Sequence, residues 1–173
     1  MNGYDFQTCR CPRWSELPDL GLYMDQVLIV VEGALRPLFP HDPVVLTSTM
    51  VNNYVKQQVL TPSEKKKYRR EHLATLITIT VLKRVLSVAE IKFVLERLAQ
   101  TGEAEGGYDM FCAQLERRLR GEPGDPACDP ILAAAVDAVA GKLIFESKCA
   151  PFRTEEKPSG KKKDREQGRE KDA

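Results

Sequence analysis

Apolar side chains recur along most of the chain at the three-to-four-residue spacing of an amphipathic helix. Met24, Val27, Leu28, Val31 and Leu35 form one such stripe, with Asp19 placed to cap it and Pro37 and Pro40 placed to stop it. A short second helix fits residues 48–58. A third, over residues 70–86, carries Leu73, Leu76, Ile77, Ile79, Val81, Leu82, Val85 and Leu86. Its apolar arc is too wide for one buried face, so the pattern places it centrally, touched on several sides. Ser87 and Glu90 have the spacing of a capping box and open a fourth helix with Val88, Ile91, Val94, Leu95 and Leu98 on one side. Gly102, Gly106 and Gly107 are expected to end it. Tyr108, Phe111, Cys112, Leu115 and Leu119 mark a fifth helix, and residues 121–126 read as a loop. Asp129 and Pro130 read as the N-cap and first residue of a sixth, with Ile131, Leu132, Ala135, Val136, Val139, Leu143 and Ile144. No stretch alternates with period two over a convincing length. The predicted fold class is all-α, a helical bundle with at most a short β-wing.

Composition sharpens the domain plan. The chain has 173 residues, 42% hydrophobic and 29% charged, enough for one core. Residues 1–152 read as a single helical domain. Residues 153–173 hold almost no apolar side chain, cannot offset their ordering entropy, and are expected to be a disordered charged tail. No apolar run reaches the length of a membrane span, and the first residues lack the basic-then-apolar order of a secretion signal. Five cysteines without C-x-x-C spacing suit a reduced, cytoplasmic protein.

Net charge is only +1, but it is unevenly spread. Residues 47–72 hold six cations (Lys56, Lys65, Lys66, Lys67, Arg69 and Arg70) against two acids, a local net of +4. In the short helix Met50, Val51, Tyr54 and Val55 make an apolar face, and Thr49, Asn52, Asn53 and Lys56 make the opposite one. Such a front suits a DNA major groove. Asn pairs bidentately with adenine, Thr reaches base edges, and Lys meets guanine or phosphate. The stretch that follows, with Lys65, Lys66, Lys67, Tyr68 and Arg69, has the composition of a loop lying on a phosphate backbone. An alternative stays open. Thr61-Pro62-Ser63-Glu64 also has capping-box spacing and could start the long helix, leaving those lysines on a solvated face.

The order of parts over residues 47–97 resembles the MerR-type winged-helix DNA-binding domain. Val51-Asn52-Asn53-Tyr54 stands at the recognition helix, Val59-Leu60-Thr61-Pro62 at its stop, Lys67-Tyr68-Arg69 at the wing, and Ser87-Val88-Ala89-Glu90-Ile91-Lys92 at the next helix start. Val55 replaces the usual glutamate, the wing is very short, and prolines occupy the place of the preceding helix of a helix-turn-helix. Longer strings are similar to a bacterial domain-of-unknown-function family, number 1836. They are Trp14 to Val27, Met50 to Lys56, and Lys66-Lys67-Tyr68-Arg69-Arg70-Glu71-His72-Leu73. That resemblance implies no activity. The expected function is sequence-specific binding of double-stranded DNA in transcriptional control, through Thr49, Asn52, Asn53, Lys56, Lys65, Lys66, Lys67, Tyr68 and Arg69. The alternative is a protein–protein adaptor in which Met50, Val55 and Val59 meet a partner.

The remaining candidates change little. Cys9 and Cys11 sit in what reads as a flexible start, and two thiolates fall short of the four ligands a structural zinc needs, so no metal and no cofactor are expected. Cys112 reads as core. His72 reads as a cap or a packed polar group, with no nucleophile or carboxylate placed to make it a base, and no enzyme is expected. Trp14 and Tyr23 are expected to pack the N-terminal region onto the rest. The sixth helix is rich in alanine (Ala133, Ala134, Ala135, Ala138 and Ala140), which suits either a bundle helix or a homodimer seam.

Overall fold

The thirteen residues Arg70–Leu82 form a helix with ten buried side chains, so nearly every azimuth of it faces protein. The computed structural model describes residues 4–153 and puts this helix at the centre, as its wide apolar arc requires. In chain order the helices are α1 (Met24–Leu35), α2 (Ser48–Lys56), α3 (the central Arg70–Leu82), α4 (Val88–Gln100), α5 (Ala104–Leu119) and α6 (Pro130–Cys149). Short 3-10 turns lie at Trp14–Glu16 and Ala150–Phe152. The described residues are all-helical apart from two isolated β-bridges, and none of the helices is long and apolar enough to cross a membrane.

α1, α4, α5 and α6 each lay an apolar stripe on α3, and α5 packs most extensively on α6. Val27, Val31 and Leu35 face inward from α1, Ile91 and Val94 from α4, Phe111, Cys112 and Leu115 from α5, and Val136, Val139 and Leu143 from α6. Three of the buried side chains of α3 are polar, His72, Thr78 and Thr80, and the Thr80 hydroxyl has no hydrogen-bond partner among the described residues. The Thr78 hydroxyl donates to the Ala74 carbonyl at 2.9 Å.

Caps fix most starts where the sequence places them. The Thr47 hydroxyl accepts from the Met50 amide at 3.2 Å. Ser87 and Glu90 cap reciprocally at 2.7 and 3.3 Å. Asp129 accepts from the Ile131 and Leu132 amides at 2.9 and 3.3 Å, with Pro130 in the first position. Three expectations are corrected. α1 is capped by Gln26, whose side-chain oxygen accepts from the Tyr23 amide at 2.9 Å, while Asp19 lies 3.8 Å from Arg70. α3 ends at Leu82, because the Val85 and Leu86 amides turn back onto the Leu82 carbonyl. Of the three glycines only Gly102, at φ +143°, breaks the chain; Gly106 and Gly107 lie inside α5. The tail expected at 153–173 falls, beyond Arg153, outside the described residues.

The connection from α1 to α2, residues 36–47, is held like a domain edge. Leu38, Phe39, Val45 and Leu46 are buried. Arg84 lies over the Phe39 ring at 4.2 Å, pairs with Asp42, and reaches Glu146 of α6 at 3.1 Å. It is far longer than the three-to-four-residue turn of a helix-turn-helix.

The N-terminal stretch around Cys9 and Cys11, expected to be flexible, is packed onto the fold. Cys9 and Cys11 are buried against α5. The Tyr108 hydroxyl donates to the Pro12 carbonyl and the Trp14 amide donates to Asp109, both at 2.8 Å. Burial pushes the Cys9 thiol up to about 11, so it stays protonated. Arg13 forks onto Glu116 with bonds of 2.7 and 2.8 Å, and Glu116 also accepts from the Cys11 amide at 2.8 Å. Burial works against the Glu116 charge, but these three bonds outweigh it and hold its carboxyl below the ordinary range.

A carboxyl depressed in the folded state contributes stability above its ordinary range and loses it as pH falls through the depressed value. Glu116→Gln is therefore expected to lower unfolding free energy by about 2–3 kcal/mol at neutral pH. Its deficit should shrink as pH falls below the ordinary carboxylate range. Urea titrations across pH measure both, and a pH-independent deficit contradicts the ion-pair account.

Candidate nucleic-acid interface

α2 is amphipathic over nine residues. Val51 and Tyr54 are buried and Met50 and Val55 half-buried, whereas Thr49, Asn52, Asn53 and Lys56 are exposed. The polar front expected for reading base edges therefore faces solvent. The apolar back is partly occupied by the protein's own core: Val59 is buried, whereas Met50 and Val55, which the adaptor alternative also names, are half-buried.

The exit from α2 is a Schellman motif. The Val59 amide bonds to the Tyr54 carbonyl and the Gln58 amide to the Val55 carbonyl, both at 3.0 Å, with Gln58 in the left-handed region at φ +56°. Four residues beyond Leu60 the chain makes a two-residue hairpin. The Glu64 amide donates to the Lys67 carbonyl at 3.1 Å and the Lys67 amide to the Glu64 carbonyl at 2.9 Å. At its tip Lys65 and Lys66 both have positive φ, +48° and +64°, the signature of a type I′ turn. The capping box at Thr61–Glu64 is not used, because Glu64 pairs across this hairpin instead of opening a helix.

Three contacts pin the hairpin to the core. Leu22 and Tyr68 exchange two amide–carbonyl bonds of 2.8 Å, an antiparallel bridge. His72 accepts at Nδ1 from the Arg69 amide at 2.9 Å, so its other ring nitrogen donates to the Pro62 carbonyl at 3.2 Å. Gly21 lies so close to Lys67 that an added Cβ would stand 3.0 Å from the Lys67 Cβ. Tyr68, expected on the phosphate backbone, is buried and edge-on to His72 at 5.4 Å; it anchors the hairpin. Tyr23, expected to pack inward, is exposed beneath the Lys67 ammonium, 5.6 Å from the ring centre.

Alternation along the hairpin separates its cations. Lys66 and Ser63 share an open cleft of about 570 Å³ with Ser48, the first residue of α2, and with Asp25 and Tyr68. Lys65, Lys67 and Arg69 line a second cleft of about 540 Å³ with Asp19, Glu64 and Glu71. Arg69 is paired with Glu64 at 3.0 Å. Among the described residues no carboxylate lies within ion-pair distance of Lys56, Lys65, Lys66 or Lys67, and all four are exposed. The structure thus brings Lys66 beside the start of α2 and turns Lys65, Lys67 and Arg69 to the hairpin's other side. Sequence reasoning missed Gly21 and Leu22, whose pairing with residues 67 and 68 is non-local and leaves no local pattern.

A family model described as Domain of unknown function (DUF1836) matches residues 12–111, from the N-terminal stretch through the middle of α5. No curated protein and no solved structure matches the chain.

His72→Ala removes the acceptor for the Arg69 amide and the donor to Pro62. A loss of about 1–2 kcal/mol is expected, with faster amide hydrogen exchange at Lys67 and Tyr68. Unchanged exchange there would show that the imidazole does not hold the hairpin.

Proposed function

The chain belongs to the DUF1836 family, and we propose that it is a sequence-specific DNA-binding protein acting in transcriptional control. The observation that carries this reading is the identity of the two residues at the hairpin tip. A type I′ turn favours Asn-Gly, and each non-glycine residue held left-handed costs about 1–2 kcal/mol. Lys65 and Lys66 accept that cost, and Gln58 at the α2 exit is the third such residue among those described. Left-handed strain clusters where function demands a side chain that stability would not choose. What the lysines supply in return is unpaired positive charge at a rigid tip.

In this reading α2 enters the major groove with Asn52 and Asn53 on base edges, Thr49 and Lys56 beside them, and the free amides of its first turn near a phosphate. Lys66 meets the backbone on the same side, and Lys65 and Lys67 meet it farther along. In this reading α2, the hairpin, α3, the Ser87 box and α4 follow the order of a MerR-like winged helix, with the wing reduced to a two-residue turn and a long connection in place of the helix-turn-helix turn before α2. Nine residues of α2 reach only a few base pairs, so a palindromic site read by a homodimer fits best. Phe93 of α4 is 55% exposed beside Ala134 and Ala138 of α6, an apolar strip on which two copies can close.

Replacing Lys65 by Asn together with Lys66 by Gly should separate the two properties. The variant is expected to be more stable by about 1 kcal/mol or more, yet to lose salt-dependent retention of duplex DNA. Asn53→Ala should relax sequence preference, whereas Lys66→Ala alone should weaken all sequences alike and flatten the salt slope by about one unit. Failure of the wild-type chain to bind any duplex at low ionic strength sinks the proposal. Phe93→Glu should sediment as a monomer at concentrations where the wild type is a dimer; a monomeric wild type removes the homodimer.

A further inference from the structure

Away from α2, a crevice of about 210 Å³ opens between the Trp14–Glu16 turn, α3, α4 and α5. Its buried floor is formed by Val59, Ala74, the ring of Tyr108 and Thr78, whose hydroxyl bonds the Ala74 carbonyl, with Thr75 beside them. Trp14 and Leu98 make half-buried walls, and the exposed Glu71 stands on the rim. The Tyr108 hydroxyl is already satisfied by the Pro12 carbonyl, so the floor presents the ring without a free polar group. Glu71 stands between this crevice and the hairpin cleft that holds Lys65, Lys67 and Arg69, and no cation lies within ion-pair distance of it among the described residues. A cavity of about 150 Å³ is enough for a benzene ring, so this one holds a single ring or a short alkyl body.

An apolar slot with an unpaired carboxylate at its mouth selects for shape and charge together. We propose that this crevice binds a small organic cation, a one-ring or short-alkyl body buried against Trp14 and Leu98 with an ammonium paired to Glu71. A carboxylate-bearing ligand of the same shape would bring like charge to the rim, and a neutral one would gain only the burial. The site does not depend on the DNA-binding reading, although Val59 of its floor and Thr61 beside it belong to the segment between α2 and the hairpin.

Trp14 is the chain's single tryptophan, so its emission reports occupancy without DNA. Titration with 2-phenylethylamine is expected to change Trp14 emission saturably, with weaker binding of 2-phenylethanol and weakest binding of 3-phenylpropionate. Glu71→Gln should weaken the amine about fivefold and leave the alcohol unchanged, a split that a merely structural Glu71 would not produce. Circular dichroism confirms that the variant is folded. No saturable change with the amine, or equal affinity for the amine and the carboxylate, overturns the proposal.

Discussion

Everything in this protein is arranged around a helix that cannot be exposed. α3 has hydrophobic side chains on nearly all azimuths, and a helix of that kind is stable only when other elements cover each side. Four helices supply the cover, and the two ends of α3 inherit different tasks. At its C-terminal end Lys83 and Arg84 turn outward to hold the long α1–α2 connection, through the Val45 carbonyl at 3.4 Å and through Asp42 and Phe39. At its N-terminal end His72 and the incoming Tyr68 seat the hairpin. The candidate interface is thus built on the first turn of the most buried element, which is how a strained loop comes to be rigid.

That rigidity answers a physical question about the hairpin. Two lysines in left-handed conformations would relax if the turn were free to open. The Leu22–Tyr68 bridge, the Arg69–His72–Pro62 bonds and the close fit of Gly21 on the Lys67 stem fix both strands within three residues of the tip. The cost of the turn is spread over contacts to the core, and the ammonium groups lose little further entropy on meeting a polyanion.

Much of this was legible in the sequence. The central position of α3 followed from its wide apolar arc, the starts of α4 and α6 from Ser87–Glu90 and Asp129–Pro130, and the exposed front of α2 from the spacing of Thr49, Asn52, Asn53 and Lys56. Local periodicity and cap chemistry carry such features because they depend on neighbours three or four residues apart. What stayed hidden depends on distant partners. Cys9 and Cys11 look like a loose start, yet Glu116, more than a hundred residues away, draws that segment into the core. Tyr68 looks like a surface aromatic among cations, yet its pairing with Leu22 buries it. The choice between a helix opened by Thr61–Glu64 and a hairpin closed by Glu64–Lys67 was likewise settled by tertiary anchoring, against the locally cheaper turn chemistry.

The split of charge across the hairpin bears on how such an interface would discriminate. The segment's net of +4 is not a uniform strip. Lys66 alone shares the cleft with the start of α2, while Lys65, Lys67 and Arg69 sit with Asp19, Glu64 and Glu71. Each neutralised phosphate adds about 0.9 to the logarithmic salt slope, so a few available lysines imply a shallow slope and weak non-specific binding. An interface of this kind cannot rely on phosphate attraction for its affinity. On the proposed reading it would draw a large share from the amide side chains of α2, which reward only a matching base edge. On the proposed DNA-binding reading, sparse charge beside a polar helix front would favour selectivity over grip, with the carboxylates behind the hairpin tempering the field of its lysines.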